Sequence, residues 1–357
     1  LVQLAAARAS LRARVDAIGL DDRAALALAA FQEDALGTAK IEGETLAPEG
    51  VRSSIARRLG LAEGTLPSSP RNVEGLVEVL DDATRHHGNE LTAERLFGWH
   101  AALFPGGYSH LRPITVGAWR REAMRVQSGG PGSGTVHFEA PAPERVDEEV
   151  VAFLSWRNGG TQSDSALKAG LAHLWFETIH PFDDGNGRIG RALIDMALSA
   201  GDDSLLRYYS VSAQIFEERS GYYRALEEAQ RGNLDITAWL KWFLSCLLSA
   251  VHDAELRVEA ATLRARLRAS LPLTELNQRQ TKALHRLIEH EPRGFEGGLT
   301  NAKYCSMTGA SKATASRDLA DLVQRGLLAV GEASGRSTRY SLVRGSSDEC
   351  GELLIQA

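Results

Sequence analysis

One short stretch, His180-Pro181-Phe182-Asp183-Asp184-Gly185-Asn186-Gly187-Arg188-Ile189-Gly190-Arg191, gathers residue types that act on phosphates. Gly185 and Gly187 let successive backbone N–H groups point into one concavity. A helix that begins just after them adds partial positive charge at its N-terminus, so the turn is an anion nest. Arg188 and Arg191 are three apart and share a helix face. Two guanidiniums beside such a nest suit a di- or triphosphate. Asp184 can hold Mg²⁺, which favours one or two carboxylates completed by phosphate oxygens. His180, at the lip, can take a proton from an attacking hydroxyl. Taken singly, each feature has a plain explanation: a turn, a capping histidine, a solvated arginine face. Their conjunction within 12 residues is what points to chemistry.

The elements that must hold this loop follow from periodicity and breakers. Leu167, Leu171, Leu174 and Ile179 give an apolar face to a helix over 163–179, which Pro181 cannot continue. A second helix starts near Arg188, with Ile189, Leu193 and Met196 on one side. Upstream, helices are expected to Gly43, over Pro48–Leu59, over Asn72–His86 and over Thr92–Leu103, the last capped by Thr92, with Asp21 or Asp22 capping the second helix. From Arg112 to Pro143 helical periodicity stops. Short β-prone pieces (Ile114–Trp119, Arg125–Gln127, Thr135–Phe138) flank the Gly-rich run from Ser128 to Gly134, which predicts a hairpin flap. Helices resume over Val146–Trp156 and Arg219–Arg231, and a long amphipathic one runs from Thr237 to about Leu267.

Residues 275–344 differ in character. Helices are expected over Asn277–His290, Thr300–Met307 and Lys312–Gln324, then two strands, Leu327–Val330 and Thr338–Leu342. This reads as a helix-turn-helix followed by a wing. The segment has 11 Lys+Arg against 7 Asp+Glu, whereas the whole chain carries −6. Lys312, Thr314, Ser316, Arg317, Arg336 and Arg339 are its candidate phosphate contacts. The expected domains are 1–90, a helical region; 91–236, the core; 237–274, a connecting helix; and 275–345, the winged helix.

Composition bounds the rest. The chain of 357 residues is 43% hydrophobic and 24% charged, a globular and not a disordered balance. Its net charge is too mild for a bulk nucleic-acid or membrane binder. Cys246, Cys305 and Cys350 are odd in number, far apart and without a CxxC pair, which argues for a reducing, cytoplasmic setting. The run Trp239–Val251 is too short and too interrupted to span a bilayer, which takes about 20 apolar residues. The chain starts at Leu1 without a signal-peptide pattern, and the expectation is that its first residues are missing.

His180-x-Phe182-x-Asp184-Gly185-Asn186-Gly187-Arg188-x-x-Arg191 resembles the signature of the Fic family at every fixed position, and the resemblance covers roughly residues 30–245. The whole chain is similar to Fic proteins that carry a C-terminal winged helix, so the expected fold is mainly α: a Fic-type helical core with a small β-hairpin flap, plus a winged helix-turn-helix domain. The resemblance implies transfer of AMP from ATP to a Ser, Thr or Tyr hydroxyl of a target protein or of the chain itself. It implies His180 as general base and Asp184 as ligand of Mg²⁺ bridging the α- and β-phosphates. Gly185, Asn186 and Gly187 would cradle phosphates, Arg188 and Arg191 hold the outer ones, and Phe182 anchor the loop. Thr135, Val136, His137 and Phe138 of the flap would cover the nucleotide and pair with the target as an added strand. Tyr222 and Tyr223 would line the adenine pocket, with Gln230 a weaker candidate.

Thr38-Ala39-Lys40-Ile41-Glu42-Gly43 puts Thr38 and Glu42 on one helix face. It resembles the inhibitory motif of the same family. By that resemblance Glu42 would pair with Arg191 where the γ-phosphate belongs, giving low basal activity. The alternatives weighed are a nucleotide-sensing DNA-binding regulator, and a hydrolase that removes AMP with Glu42 positioning water. The expected partner is a target protein or the chain itself; the winged helix is read first as a protein-docking or packing module, with DNA binding through residues 300–340 as its alternative, and a homodimer is left open.

Overall fold

A computed structural model describes residues 1–60, 69–128, 135–159, 164–202, 207–272, 275–331 and 338–343; residues 126–128, 135–137 and 202 are described by backbone alone. The chain forms two compact units, Leu1–Ala254 and Glu255–Ala357. No helix among the described residues is long and apolar enough to cross a membrane.

The first unit opens with α1 (Val2–Asp16), α2 (Leu20–Ile41), α3 (Pro48–Arg58), α4 (Arg71–Arg85) and α5 (Ala93–Leu103). The expected cap of α2 is displaced. Gly19 is its N-cap, and Asp21 and Asp22 lie inside the first turn, where their charge still faces the positive end of the dipole. Thr92 caps α5 by accepting from the N–H of Arg95 at 3.2 Å. Of the three β-prone pieces, Ile114–Trp119 forms no strand. A small hairpin precedes it instead, β1 (Tyr108–Ser109) with β2 (Arg112–Pro113). The flap is β3 (Arg125–Ser128) antiparallel to β4 (Thr135–Glu139). Its register shifts between Val126 and Gln127, leaving His137 as the extra residue of a bulge.

Next come α6 (Val146–Asn158), α7 (Ser165–Ile179), α8 (Asn186–Asp202), α9 (Val211–Glu217), α10 (Arg219–Arg231) and α11 (Thr237–Ala269). The unit boundary falls within α11. Asp164 caps α7, its carboxylate accepting from the N–H of Ala166 at 2.8 Å. The core gathers Leu76, Val77, Leu80, Phe153, Phe176, Phe182, Ile189, Leu193 and Met196 from α4, α6, α7, α8 and the loop between the last two. α7 and α8 pack side by side and carry that loop between them.

A buried polar knot fixes α2 to this frame. Arg207 donates to Asp34 of α2 and, at 2.5 Å, to Asp195 of α8, and Asp34 also accepts from Ser210 Oγ at 2.7 Å and Ser212 N at 3.1 Å. Such buried charges persist only when mutually satisfied. The knot therefore determines where the C-terminal end of α2 points, one to three turns later.

The second unit holds α12 (Gln278–Ile288), α13 (Asn301–Thr308), α14 (Lys312–Gln324) and a hairpin of β5 (Leu328–Val330) with β6 (Tyr340–Leu342). Asn277 and Gln280 cap α12 reciprocally. Thr300 caps α13, Gly309 at φ 73° ends it, and Ser311 caps α14. Leu284, Leu287, Tyr304, Leu319 and Leu322 form a separate small core.

Candidate active site

α7 ends at His180, whose N–H donates to Phe176 O at 2.9 Å while its backbone turns left-handed, φ 49° and ψ 60°. For a non-glycine residue that conformation is uncommon and carries strain, and such strain concentrates at functional sites. Burial pushes the imidazole pKa down to about 4, so at neutral pH the ring is uncharged and able to accept a proton. Its Nδ1 lies 3.8 Å from Glu177 Oε2. Burial pushes Glu177 up to about 8, so this contact joins two uncharged groups and is no ion pair.

The turn that follows is closed from inside. Asn186 accepts from Phe182 N and donates to Phe182 O, both at 2.9 Å. Its side chain is thereby occupied, and only its backbone N–H remains for an anion. α8 starts at Asn186, two residues before the expected Arg188, so Gly187 and Arg188 stand in its first turn. Phe182 is fully buried and stacks on His100, ring centroids 4.2 Å apart. Gly185 has φ 81°, and a Cβ there would come 2.7 Å from Phe104 Cε2, so any other residue would be strained and would have to displace that ring. Asp184 accepts from Gly185 N at 2.5 Å and from the Ser109 hydroxyl.

The arginines are both engaged by acids from beyond the end of α2. Arg191 is 1% exposed. Its Nε donates to Thr38 Oγ1 at 2.7 Å, and its Nη2 to Glu42 Oε1 at 2.6 Å and Thr38 O at 3.3 Å. Burial, the largest influence, pulls the Arg191 pKa down, but the charge and hydrogen bond of Glu42 together with Tyr222 and Glu177 outweigh it and hold the group above its usual value. A Cβ on Gly187 would collide with Glu42 Oε1, so a carboxylate oxygen sits directly over the nest. Arg188 Nη1 donates to Glu44 Oε1 at 2.9 Å, and its guanidinium lies 4.8 Å over the Phe104 ring.

The spacing of types along the sequence missed Glu44. Gly43, at φ 79°, ends α2, and Glu44 N donates back to Ala39 O at 2.9 Å. That backward bond is the six-to-one closure of a Schellman turn. It turns the chain so that two successive acids meet two successive arginines. Also missed were His100, which accepts from Gly117 N at 3.2 Å and donates to Asp184 O at 3.2 Å, and Arg120, whose buried guanidinium contacts the loop. Burial lowers the His100 pKa to about 4, consistent with a neutral ring that donates on one side and accepts on the other.

The expected flap and adenine residues divide. The backbone of Thr135, Val136 and His137 lies in β4, but their side chains fall outside the described residues, as do the tip 129–134 and Arg336. Phe138 is half-buried. Tyr222 is 2% exposed and bonded through its hydroxyl to His173 Nε2 at 2.9 Å, so its ring presents almost no free face. Tyr223 is 48% exposed and contacts Ile41 O at 3.4 Å, and Gln230 is half-buried. Lys312, Ser316 and Arg317 are exposed at the start of α14.

A single carboxylate suits Mg²⁺ bound mainly by nucleotide phosphates, and Asp184 at the mouth of an anion nest fits that donor set. Among the described residues no group of three His, Cys, Asp or Glu side chains is arranged to hold a metal by itself.

Comparison with known proteins bears on this arrangement. Residues 90–198 match the Fic/DOC family, and residues 1–61 match a domain of unknown function (DUF4172). A probable protein adenylyltransferase of Aquifex aeolicus is 35% identical over 95 residues, 27% of each chain. The protein adenylyltransferase Fic of Nematostella vectensis is 25% identical over 215 residues, 58% of this chain and 44% of that one. A uridine 5′-monophosphate transferase of Xanthomonas campestris is 30% identical over 119 residues, 31% of this chain and 21% of its own. The chain thus spans less than half the length of these curated relatives. A Fic family protein of Desulfovibrio desulfuricans shares the fold over 96% of this chain and 95% of its own, with a TM-score of 0.56 and 22% identity. Residues 90–198, which hold the whole loop from His180 to Arg191, are thus the stretch of this chain that is similar to the Fic/DOC family.

Proposed function

We propose that this protein transfers AMP from ATP to a hydroxyl side chain of a target protein, and that the turn after α2 restrains it. The acceptor oxygen bonds to the α-phosphorus and the bond from that phosphorus to the bridging oxygen breaks. Pyrophosphate departs with the electron pair, and the hydroxyl proton passes to His180. A neutral imidazole at the lip of an anion nest is the right acceptor for that proton. The N–H groups of the turn and the guanidiniums of Arg188 and Arg191 would hold the phosphates, with preorganised charge where negative charge must be kept. Mg²⁺ bound at Asp184 would supply charge neutralisation for the phosphate oxygens. Thr135–Phe138 would cover the nucleotide and offer a strand edge to the target, and Tyr223, with Tyr222 behind it, would meet the adenine.

The observation that carries this reading is the carboxylate of Glu42 over the nest. A group of one negative charge, bonded to Arg191 and touching the Gly187 position, occupies the kind of place a terminal phosphate would take. While it stays, Thr38, Glu42 and Arg191 form a closed set, and the nucleotide binds with its phosphates displaced.

The test is label from α-labelled ATP with Mg²⁺ on the full chain, alone and with cell lysate as acceptor. Glu42→Gly is expected to raise protein labelling on the order of 10- to 100-fold, the range of ordinary coupling energies. Adding His180→Ala should take it back by at least about 100-fold. No label in Glu42→Gly, or label that survives His180→Ala, rejects the reading. A parallel arm with α-labelled UTP checks the donor, since one relative is named for uridylyl chemistry.

A further inference from the structure

Arg120 is 2% exposed and lies between the flap and the His180 loop. Its Nε donates to His180 O at 2.7 Å and its Nη2 to Ile179 O at 3.4 Å, both at the end of α7. The same guanidinium donates from Nη1 to Glu122 O at 2.9 Å and from Nη2 to Pro141 O at 2.6 Å. Glu122 precedes β3 and Pro141 follows β4, so these are the two roots of the flap. The backbone N–H of Arg120 donates to Pro181 O at 2.8 Å. Among the described residues no carboxylate pairs with it. A buried cation bonded only to carbonyls is a costly arrangement unless geometry requires a planar fork.

We propose that Arg120 is the positioning residue that fixes the flap on the His180 loop, so that an acceptor hydroxyl presented by the flap and the imidazole that takes its proton share one frame. The proposal rests on the transferase reading above. The guanidinium reaches the carbonyl of His180 itself, so a shift of either flap root is felt at the base. The phosphate cradle of the site does not depend on it. Asn186 closes the turn locally, and the arginines of α8 hold their own partners. Arg120 therefore governs alignment of acceptor with base far more than affinity for the nucleotide, which is anchored by its phosphates. Lysine at this position keeps the charge but has no fork, and it can satisfy only part of the carbonyl set.

The experiment uses the full chain carrying Glu42→Gly, with and without Arg120→Lys. Arg120→Gln is run beside them, because a buried ammonium can itself disturb folding. Three readings are taken: ATP saturation of label transfer, equilibrium binding of a non-hydrolysable ATP analogue, and amide hydrogen exchange at Met124–Ser128 and Ala140. The expected result is a fall in kcat on the order of 100-fold with ATP KM and analogue Kd within about 3-fold. Exchange at the flap root, where Ala140 N donates to Met124 O at 3.0 Å, should quicken roughly 10-fold or more. Parallel loss of kcat and analogue binding would mark Arg120 as merely structural and overturn the proposal. Unchanged flap exchange overturns it too. If Glu42→Gly with Arg120 intact gives no label, the transferase reading fails, and flap exchange still decides whether Arg120 holds the flap.

Discussion

The loop from His180 to Arg191 and the turn from Thr38 to Glu44 meet face to face, yet they are held by opposite means. The turn of the loop is closed from within, Asn186 bonding both peptide groups of Phe182, four residues away, while Arg120, His100 and Ser109 brace it from outside. Among the described residues, the 38–44 turn's side-chain bonds to the loop are Arg191–Thr38, Arg191–Glu42 and Arg188–Glu44, pairs about 150 residues apart. Its acids keep contact with water, the Glu42 side chain at 29% exposure and Glu44 at 25%. On the proposed reading the loop is a permanent frame and the turn a removable occupant. Withdrawing it breaks two partly solvated ion pairs, each of modest worth. It also leaves Arg191 buried without its anion, a state that a phosphate relieves.

That contrast is broken most directly at Asn186. Asn186→Ala strips the bonds from a buried N–H and a buried C=O of Phe182 without filling the space. Urea unfolding should show a loss of about 2 kcal/mol, and label transfer in the Glu42→Gly background should fall with it. A loss below about 0.5 kcal/mol would mean that the loop is held by its burial and not by its own bonds.

A smaller effect sharpens the other half. Glu44→Gln removes the charge facing Arg188 and keeps the shape. In the Glu42→Gly background it should lower the ATP KM by roughly 3-fold, the scale of one partly exposed ion pair. Glu42 and Glu44 engage different guanidiniums over one nest, so a double-mutant cycle should find them coupled. Strict additivity would show that Glu44 only decorates Arg188, and that the restraint is Glu42 alone.

The same contrast explains what could be read in advance. The loop was legible because its parts are local: a proline after a helix, glycines at a turn, arginines three apart. Helices α5, α7, α10 and α14 fell within about two residues of expectation for the same reason, and α5, α7 and α14 carry the side-chain caps that are short-range signals. The side-chain bonds of Asn186 to Phe182 were not legible, because a side chain that serves the nest and one that closes it look alike in sequence. Glu44 and Arg120 had no local signature. One depends on a Schellman turn aimed by the distant Asp34 knot, the other on carbonyls from three separated segments. The resemblance put Tyr222 and Tyr223 together at the adenine, and the burial of Tyr222 was not legible because an aromatic pair on a helix does not declare which ring faces inward. The strand expected at Ile114–Trp119 failed because β-prone residues there pack against the core as a loop, with Thr115 N bonded to Asp183 at 3.0 Å.

The smallest expected effect concerns pH, and it tests whether the frame keeps His180 dry. An imidazole at its ordinary pKa would gain about four-fold in unprotonated fraction between pH 6 and pH 8. Burial has pushed His180 down to about 4, so its unprotonated form is already complete at pH 6. Glu42 draws that pKa upward, so removing it moves the group further from neutrality and not toward it. The rate of label transfer by Glu42→Gly at saturating ATP should therefore vary less than about two-fold from pH 6 to 8, and fall only as pH approaches 4. A four-fold rise across that interval would show that water reaches the ring once the turn is disarmed. The turn would then be part of what dries the base, and the division between permanent frame and removable occupant would have to be redrawn with His180 on the removable side.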